Sequence, residues 1–178
     1  VNELDQRPAV PPLPQALLRR TPSLLLRRPV EADGSVLRAL DRLPEMWRFR
    51  APRPADQSVV RFERILRHWH AHGFGPWSFL LEGEVIGFGG LSHKAEVEGL
   101  NVGYQLHPRH WKKGYATELA REAVRFGFDV LGAARLVGLV HVDNLASARV
   151  LEKAGFSLQG ERLYDGLPCR TYIIEPVR

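Results

Sequence analysis

The chain has 178 residues, 44% hydrophobic and 25% charged, with 16 Gly and 13 Pro, which is the size and composition of one globular domain with its own core. The single cysteine, Cys169, excludes an internal disulfide framework and fits a reducing cytoplasm, and no apolar run approaches the ~20 residues of a membrane-spanning helix. A formal charge of +5 invites polyanions, but residues 1–89 carry 13 basic and 10 acidic side chains and residues 90–178 carry 12 and 10, so neither half is a basic arm.

Five prolines (Pro8, Pro11, Pro12, Pro14, Pro22) fall in residues 1–22. That density blocks ladders and helices and predicts a proline-rich N-terminal tail, with one apolar turn at Gln15–Arg19. The domain is expected over residues 23–178. Leu24-Leu25-Leu26 reads as a first strand. Asp33 is placed to cap a helix whose apolar face is Val36, Leu37, Leu40 and Leu43, and Pro44 ends or kinks it. Asp56 can cap a second helix with Val59, Phe62, Ile65, Leu66 and Trp69 on one face, stopped at Gly73. Strands follow at 77–81 and 85–91 around Glu82-Gly83-Glu84, then at 99–106 until Pro108 prevents further pairing. Residues 114–131 read as a helix, Leu136–Val142 as a buried strand, Leu145–Ala154 as a helix closed by Gly155, and 156–164 and 168–174 as a hairpin around Asp165-Gly166. Antiparallel strands joined to one strand–helix–strand crossover imply a mixed sheet with helices on its faces.

Two segments carry chemistry. In the first, a strand ending at Leu106 turns through His107-Pro108-Arg109-His110-Trp111-Lys112-Lys113 into a helix that starts at Gly114. Amides at a helix start lack intrahelical partners, the helix dipole adds positive charge there, and a glycine lets backbone approach a ligand closely. With Arg109, Lys112 and Lys113 alongside, the segment has the makings of a pyrophosphate cradle, although it is not a P-loop. In the second, Asn144 sits as a helix cap at the end of a buried strand with Ser147 in the first turn, where α/β folds bind ligands.

Together these segments resemble the GCN5-related N-acetyltransferases. Trp111-Lys112-Lys113-Gly114-Tyr115-Ala116-Thr117-Glu118, preceded by Gly103-Tyr104-Gln105-Leu106, is similar to that family's acyl-CoA pyrophosphate loop. The loop pattern is Gln/Arg-x-x-Gly-x-Gly/Ala; Gly114 and Ala116 match it, and Trp111 takes its first position. Asn144-x-x-Ser147 followed by Val150-Leu151-Glu152-Lys153-Ala154-Gly155-Phe156 resembles the second signature. Thr21-Pro22-Ser23-Leu24-Leu25-Leu26-Arg27 with Glu31-Ala32-Asp33, and Gly87-Phe88-Gly89-Gly90, resemble the ribosomal-protein alanine acetyltransferase (RimJ/RimL-like) branch.

The resemblance implies an α+β (mixed α/β) fold. Its central, mostly antiparallel sheet of about seven strands would splay apart between the fourth (99–106) and fifth (136–142), with about four flanking helices. It implies a cytoplasmic enzyme, monomer or homodimer, that moves an acetyl group from acetyl-CoA directly to a protein N-terminus, polyamine or other small amine, without metal. Leu106 and His107 would offer main-chain groups to the pantetheine arm, with the N–H of Leu106 or its neighbour as oxyanion donor. The amides of Lys112, Lys113, Gly114, Tyr115, Ala116 and Thr117 would hold the pyrophosphate. Asn144 would contact the pantetheine amide, and Ser147 would lie near the sulfur or the lower cofactor.

Ser147 is the expected acid, with Tyr164 as the alternative. The base is open. The family often places Glu two residues before the Gly-Tyr pair, and Asn101 stands there, leaving Glu98, Glu96, His141 or a water chain. Glu118 reads as a helix-stabilising charge. Of His68, His70 and His72, only His68 and His72 share a helical face, too few for a metal site. Cys169 has no His near it in sequence, so a nucleophilic role is not expected. A non-catalytic acyl-CoA-binding module and, from the basic pI, a nucleic-acid-binding domain are the competing classes.

Overall fold

The computed structural model describes residues 18–176. In chain order the elements are β1 (Arg19–Arg20), β2 (Leu25–Arg27), a 3-10 turn (Glu31–Asp33) entering α1 (Gly34–Leu40), a second 3-10 turn (Pro44–Trp47), α2 (Ala55–His72), β3 (Pro76–Leu81), β4 (Glu84–Ser92) and β5 (Leu100–Leu106). After a 3-10 turn at Pro108–His110 come α3 (Tyr115–Arg125), which continues as a π-turn over Phe126–Val130, β6 (Leu136–His141), α4 (Leu145–Lys153), β7 (Ser157–Tyr164) and β8 (Leu167–Ile174).

All eight strands form one sheet in the order β1-β2-β3-β4-β5-β6-β8-β7. Every neighbouring pair is antiparallel except β5 and β6, the pair joined by the helical crossover. The fold is therefore the expected mixed α+β sheet with four α-helices. One strand more than expected is present because Arg19–Arg20 pairs with Leu25 and Leu26, inside the segment read as tail. The rest of that tail, and most of the turn at Gln15–Arg19, lies outside the described residues.

The helices divide between the faces. Phe62 of α2 packs edge-on to Phe88 of β4, and Gly34 at the start of α1 lies against the Phe62 ring. On the other face Leu151 of α4 covers Gly138 of β6, while Gly127 in the π-turn lies against Leu136 and Leu91. Trp77, Phe79, Phe88, Phe126 and Tyr172 are fully buried between these layers, where each aromatic contributes about 1.5–3 kcal/mol of apolar burial.

Two expected caps work differently. Asp33 does not cap α1; it is buried, and its carboxylate accepts a two-pronged contact from Arg27 at 2.6 and 2.9 Å, the Ser78 hydroxyl at 2.7 Å and the Val30 N–H at 3.0 Å. A guanidinium and a buried hydroxyl are stronger partners than the orphan amides of a seven-residue helix, so they capture the side chain. Asp56 lies in the first turn of α2 without a capping bond, where it favours the helix dipole. Gly73 does end α2, in the left-handed region at φ 72° with its N–H on Trp69 O.

Candidate active site

The parallel pairing of β5 and β6 covers only three residues, Leu100–Val102 against Leu136–Gly138. β5 continues to Leu106 and β6 to His141 without pairing to one another, so the sheet opens toward their carboxyl ends. β4 holds β5 in place there through the full register from Ser92↔Asn101 to Gly87↔Leu106. The approach needs glycine: a Cβ at Gly89 would lie 2.5 Å from Gly103 O.

Backbone alternation sets what β5 presents to this gap. Leu100 N–H bonds toward β6, on Arg135 O, and His107 N–H bonds the other way, to Ile86 O at 2.9 Å. Even-numbered residues of β5 therefore turn their main-chain groups to β6, and those of Tyr104 and Leu106 face the gap. The Leu106 carbonyl is taken by the Trp111 indole N–H at 2.7 Å, which leaves the Leu106 N–H and the Tyr104 groups. The expectation for His107 is corrected: its N–H belongs to the sheet, and its ring Nδ1 accepts from Arg109 N–H.

Beyond Leu106 the chain turns through two residues in the left-handed region, Lys112 at φ 61° and Gly114 at φ 88°. Lys112, Lys113 and Gly114 are exposed, and a Cβ on Gly114 would meet nothing within 4 Å. The start of α3 thus opens onto solvent as a concave run of amides. Two expectations here are corrected. Thr117 N–H is bonded to Gly114 O at 2.9 Å as part of the first helical turn, so the outward amides lie before it. Arg109 points away from the loop, pairing with Glu84 at 3.2 Å and donating to His110 Nε2 at 3.0 Å. Lys112 and Lys113 remain as the loop's own cations. Buried His110 is pushed toward the neutral form by desolvation and then by Arg109 and Lys113.

Across the gap, Asn144 Oδ1 accepts Ser147 N–H at 3.1 Å and caps α4. The Ser147 side chain of α4 lies near the Tyr104 phenol of β5 across the opening, close enough to act on its ionisation. Burial raises the Tyr104 pKa and the Ser147 side chain opposes it, so the phenol stays protonated near neutrality. The sequence places Tyr104 in the Gly103-Tyr104-Gln105-Leu106 stretch before the loop but gives it no role of its own; its nearness to Ser147 comes only with the fold.

The opposite face of the sheet holds a different group. His141 on β6, Cys169 on β8 and Arg162 on β7 stand in one cross-strand row. Phe49 stacks on His141 at 5.3 Å between ring centroids. Tyr164 lies two residues along the same face from Arg162, under the Lys94 ammonium at 4.2 Å, with its hydroxyl toward Ala95 O at 3.5 Å. Gln105, alternating with Tyr104, reaches the buried Asp41 carboxylate at 3.0 Å; Ser58 and Arg61 complete that network at 2.9 and 2.8 Å.

The structure thus separates the expected catalytic residues. Ser147 lies beside Tyr104 on the α3–α4 face, and His141 and Tyr164 lie on the other. Glu98 precedes the start of β5, at the end of the strand away from the gap, where it is exposed and paired with Arg135 at 3.2 Å. Glu96 is exposed, and its carbonyl accepts from Arg162 at 3.3 Å. Glu98 is thus kept from the gap, and Glu96 lies beside Tyr164 on the other face. Asn101 is buried in β5. Glu118 is engaged structurally, accepting from the Thr21 hydroxyl at 2.7 Å and the Ser23 hydroxyl at 2.9 Å.

Cys169 has a histidine neighbour after all, His141 opposite it in the sheet, but burial raises the thiol pKa despite Lys94, Arg162 and Arg50 nearby. Both ring nitrogens of His68 serve backbone groups, Phe74 O at 2.8 Å and His93 N–H at 2.9 Å. Among the described residues no group of three or more His, Cys, Asp and Glu is arranged to hold a metal ion, and no helix is long and apolar enough to cross a membrane.

Among the described residues the sheet opens between its only parallel pair, with an exposed loop at one helix start and a capped helix across from it, an arrangement that fits an acetyltransferase fold. Residues 23–157 match the acetyltransferase (GNAT) domain family, and the chain belongs to it. It is 40% identical over 98 residues to the uncharacterised N-acetyltransferase YoaA of Bacillus subtilis, covering 53% of this chain and 54% of that one. The chain spans about half the length of the curated relatives it matches. Among solved structures it superposes on an acetyltransferase of Agrobacterium tumefaciens str. C58 with a TM-score of 0.78 and 27% identity, covering 89% and 94% of the two chains. It also shares the fold of RimL, a ribosomal alpha-N-protein acetyltransferase solved in complex with coenzyme A, with a TM-score of 0.71, 19% identity and 89% and 97% coverage.

Proposed function

We propose that this protein is an acetyl-CoA-dependent N-acetyltransferase that moves the acetyl group directly to a primary amine, on the RimJ/RimL-like pattern. The observation that carries the reading is the gap between β5 and β6, with the exposed, Cβ-free Gly114 at one end and Asn144 at the other. The residues fit the cofactor: the amides of Lys112 to Ala116 and the Lys112 and Lys113 ammonium groups for the phosphates, the edge groups of Tyr104 for the pantetheine amides, and the Asn144 amide beside them.

Acetyl-CoA would supply the activated thioester carbonyl. Transfer forms one C–N bond and breaks the C–S bond, so one proton must leave the amine and one must reach the departing sulfur. The Leu106 N–H, fixed in the strand and pointing into the gap, is the donor for the developing oxyanion. Ser147, backed by the protonated Tyr104, is the proton source for the thiolate. On the acceptor side His141 is the base, since Asn101 cannot take a proton and Glu98 faces away. The His141 ring is held by Phe49; its Nδ1 carries the ring's lone pair and accepts the Asp143 N–H at 3.2 Å, a bond it exchanges for the amine proton, and the resulting imidazolium lies 3.7 Å from the Asp143 carboxylate.

The test is thiol release from acetyl-CoA with a broad amine panel, and the mass of the acetylated product. Turnover, lowered about 100-fold in kcat by His141→Gln with unchanged acetyl-CoA binding, supports the assignment. Acetyl-CoA binding without turnover on any amine would identify a non-catalytic module, the reading that Asn101 favours.

A further inference from the structure

Five basic side chains from four separate segments meet on the acceptor face: Arg50 and Arg53 from the loop after Trp47, Arg61 from α2, Lys94 from the β4–β5 loop and Arg162 from β7. Arg50 and Arg53 share the Trp47 ring, Lys94 and Arg162 share the Tyr164 ring, and Phe49, next to Arg50 in the chain, stacks on His141 in the same row as Arg162. Lys94 feels the charges of Arg50 and Arg53, Arg61 feels those same two, and Lys94, Arg162 and Arg50 all bear on the Cys169 thiol. Arg162 and Cys169 are directly paired in the sheet, one strand over from His141.

Only Arg61 is answered by an acid, Asp41 at 2.8 Å. Among the described residues, Arg50, Arg53, Lys94 and Arg162 make no ion pair with any carboxylate. Their contacts are aromatic faces instead. Arg50 and Arg53 lie 5.8 and 5.5 Å from the Trp47 ring, and Lys94 and Arg162 lie 4.2 and 5.9 Å from Tyr164. The acids that bear on the cluster are Asp41, already engaged by Arg61, Ser58 and Gln105; Asp165 in the β7–β8 turn; and Glu96 beside Tyr164. Burial first, and neighbouring cations second, lower the pKa of both Arg50 and Lys94.

Like charges that outnumber the acids around them repel, and an anion placed among them relieves that repulsion. Guanidinium groups stacked on indole are held flat and keep their donor edges for a carboxylate. We propose that the acceptor of this transferase is an acidic amine, one that carries carboxylate groups within a few bonds of the reactive nitrogen, as an acidic peptide N-terminus or a free acidic amino acid does. A polycationic amine meets the same surface as a repulsive one. The proposal rests on the acetyltransferase reading above and names its substrate class.

The test compares kcat/KM for thiol release with Ala-Glu-Glu, Ala-Gln-Gln, Ala-Lys-Lys, free glutamate and spermidine, at low and high salt. Ala-Glu-Glu or glutamate is expected to exceed the neutral peptide at least tenfold, with the advantage shrinking as salt screens the cluster. Which of those two leads separates peptide from free amino acid. Spermidine and Ala-Lys-Lys are expected last. The double variant Arg50→Gln/Lys94→Gln should lose at least fivefold of the acidic preference while acetyl-CoA still raises its melting temperature. Equal rates across the peptides, a preference for the cationic amines, an acidic preference untouched in the double variant, or no turnover of either acidic probe overturns the proposal. Absence of any acetyl-CoA effect on melting is a different failure, that of the acetyltransferase reading itself.

Discussion

The Asp41 carboxylate, at the end of α1, accepts a hydrogen bond from the Gln105 amide of β5 at 3.0 Å. This bond ties the helix layer on the acceptor face to the strand that borders the gap, and Ser58 and Arg61 of α2 close the network. Arg61 is largely enclosed, with burial pushing its pKa down to about 10 against the pull of Asp41. Replacing Asp41 by Ala strands that guanidinium, and the expected loss is about 3 kcal/mol. In a domain of this size, that lowers the melting temperature by about 6–12 °C. Calorimetry of Asp41→Ala measures it directly.

Acid should weaken the same network. Desolvation pushes the Asp41 and Asp33 carboxyls up, but their bonds to Arg61, Gln105 and Ser58, and to Arg27, Ser78 and Val30, outweigh it, so both pKa values lie below the ordinary 3.8. Each carboxylate's stabilisation is therefore complete above about pH 3.8 and is lost as pH falls through its lower folded value. Urea midpoints measured from pH 6 down to pH 2 should drop most steeply below pH 4. Asp41→Asn should flatten that acid slope; an unchanged slope would place the linkage elsewhere.

Ser147 and Tyr104 are expected to act as a pair. Ser147→Ala should reduce kcat about 100-fold, with little change in the KM for acetyl-CoA. Tyr104→Phe, which leaves the Ser147 hydroxyl in place but removes the phenol beside it, should have a smaller effect. The double variant should be no worse than Ser147→Ala, since both act on one proton. Steady-state kinetics of the three variants decides this, and additive losses would separate their roles.

Glu118 should prove structural. It accepts the Thr21 and Ser23 hydroxyls and the Ser23 N–H, while Glu122, one turn on, pairs with Arg19 and Arg125. These contacts clasp the start of the sheet onto α3. Glu118→Ala is expected to cost about 1–3 kcal/mol of stability, with kcat preserved within about twofold. Chemical denaturation and turnover on the same sample test both halves.

Local features were readable from the residues because their causes are local. Glu82-Gly83 and Asp165-Gly166 both take positive φ in tight hairpins, which the glycines and Asp165 accommodate readily, and Gly155 sits in the left-handed region just past α4 at φ 96°. The helix periods gave α2 and α4 to within about a residue or two, and the long helix after Gly114 runs on as a π-turn to Val130. What escaped depends on partners distant in the chain. Asp33 reads as a cap until Arg27 and Ser78 are seen around it. Arg109 reads as a phosphate contact until β4 brings Glu84 beside it. Arg19–Arg20 offers two residues and no pattern. The cations of the acceptor face come from segments more than a hundred residues apart, and only folding gathers them. The missing base remained open because the position at Asn101 lacks a carboxylate, and the geometry then favours His141 over Glu98.

The central claim, that the loop around Gly114 holds acetyl-CoA in the gap between β5 and β6, is tested most directly by the cofactor's effect on melting temperature in the wild type and in Gly114→Glu. At about a hundred times its Kd, acetyl-CoA should stabilise the wild type by about 2.7 kcal/mol, which corresponds to a rise of about 5–10 °C. Gly114→Glu, which puts bulk and negative charge where the phosphates would lie, should fold and show no rise. No rise in the wild type, or an equal rise in both proteins, would contradict the account.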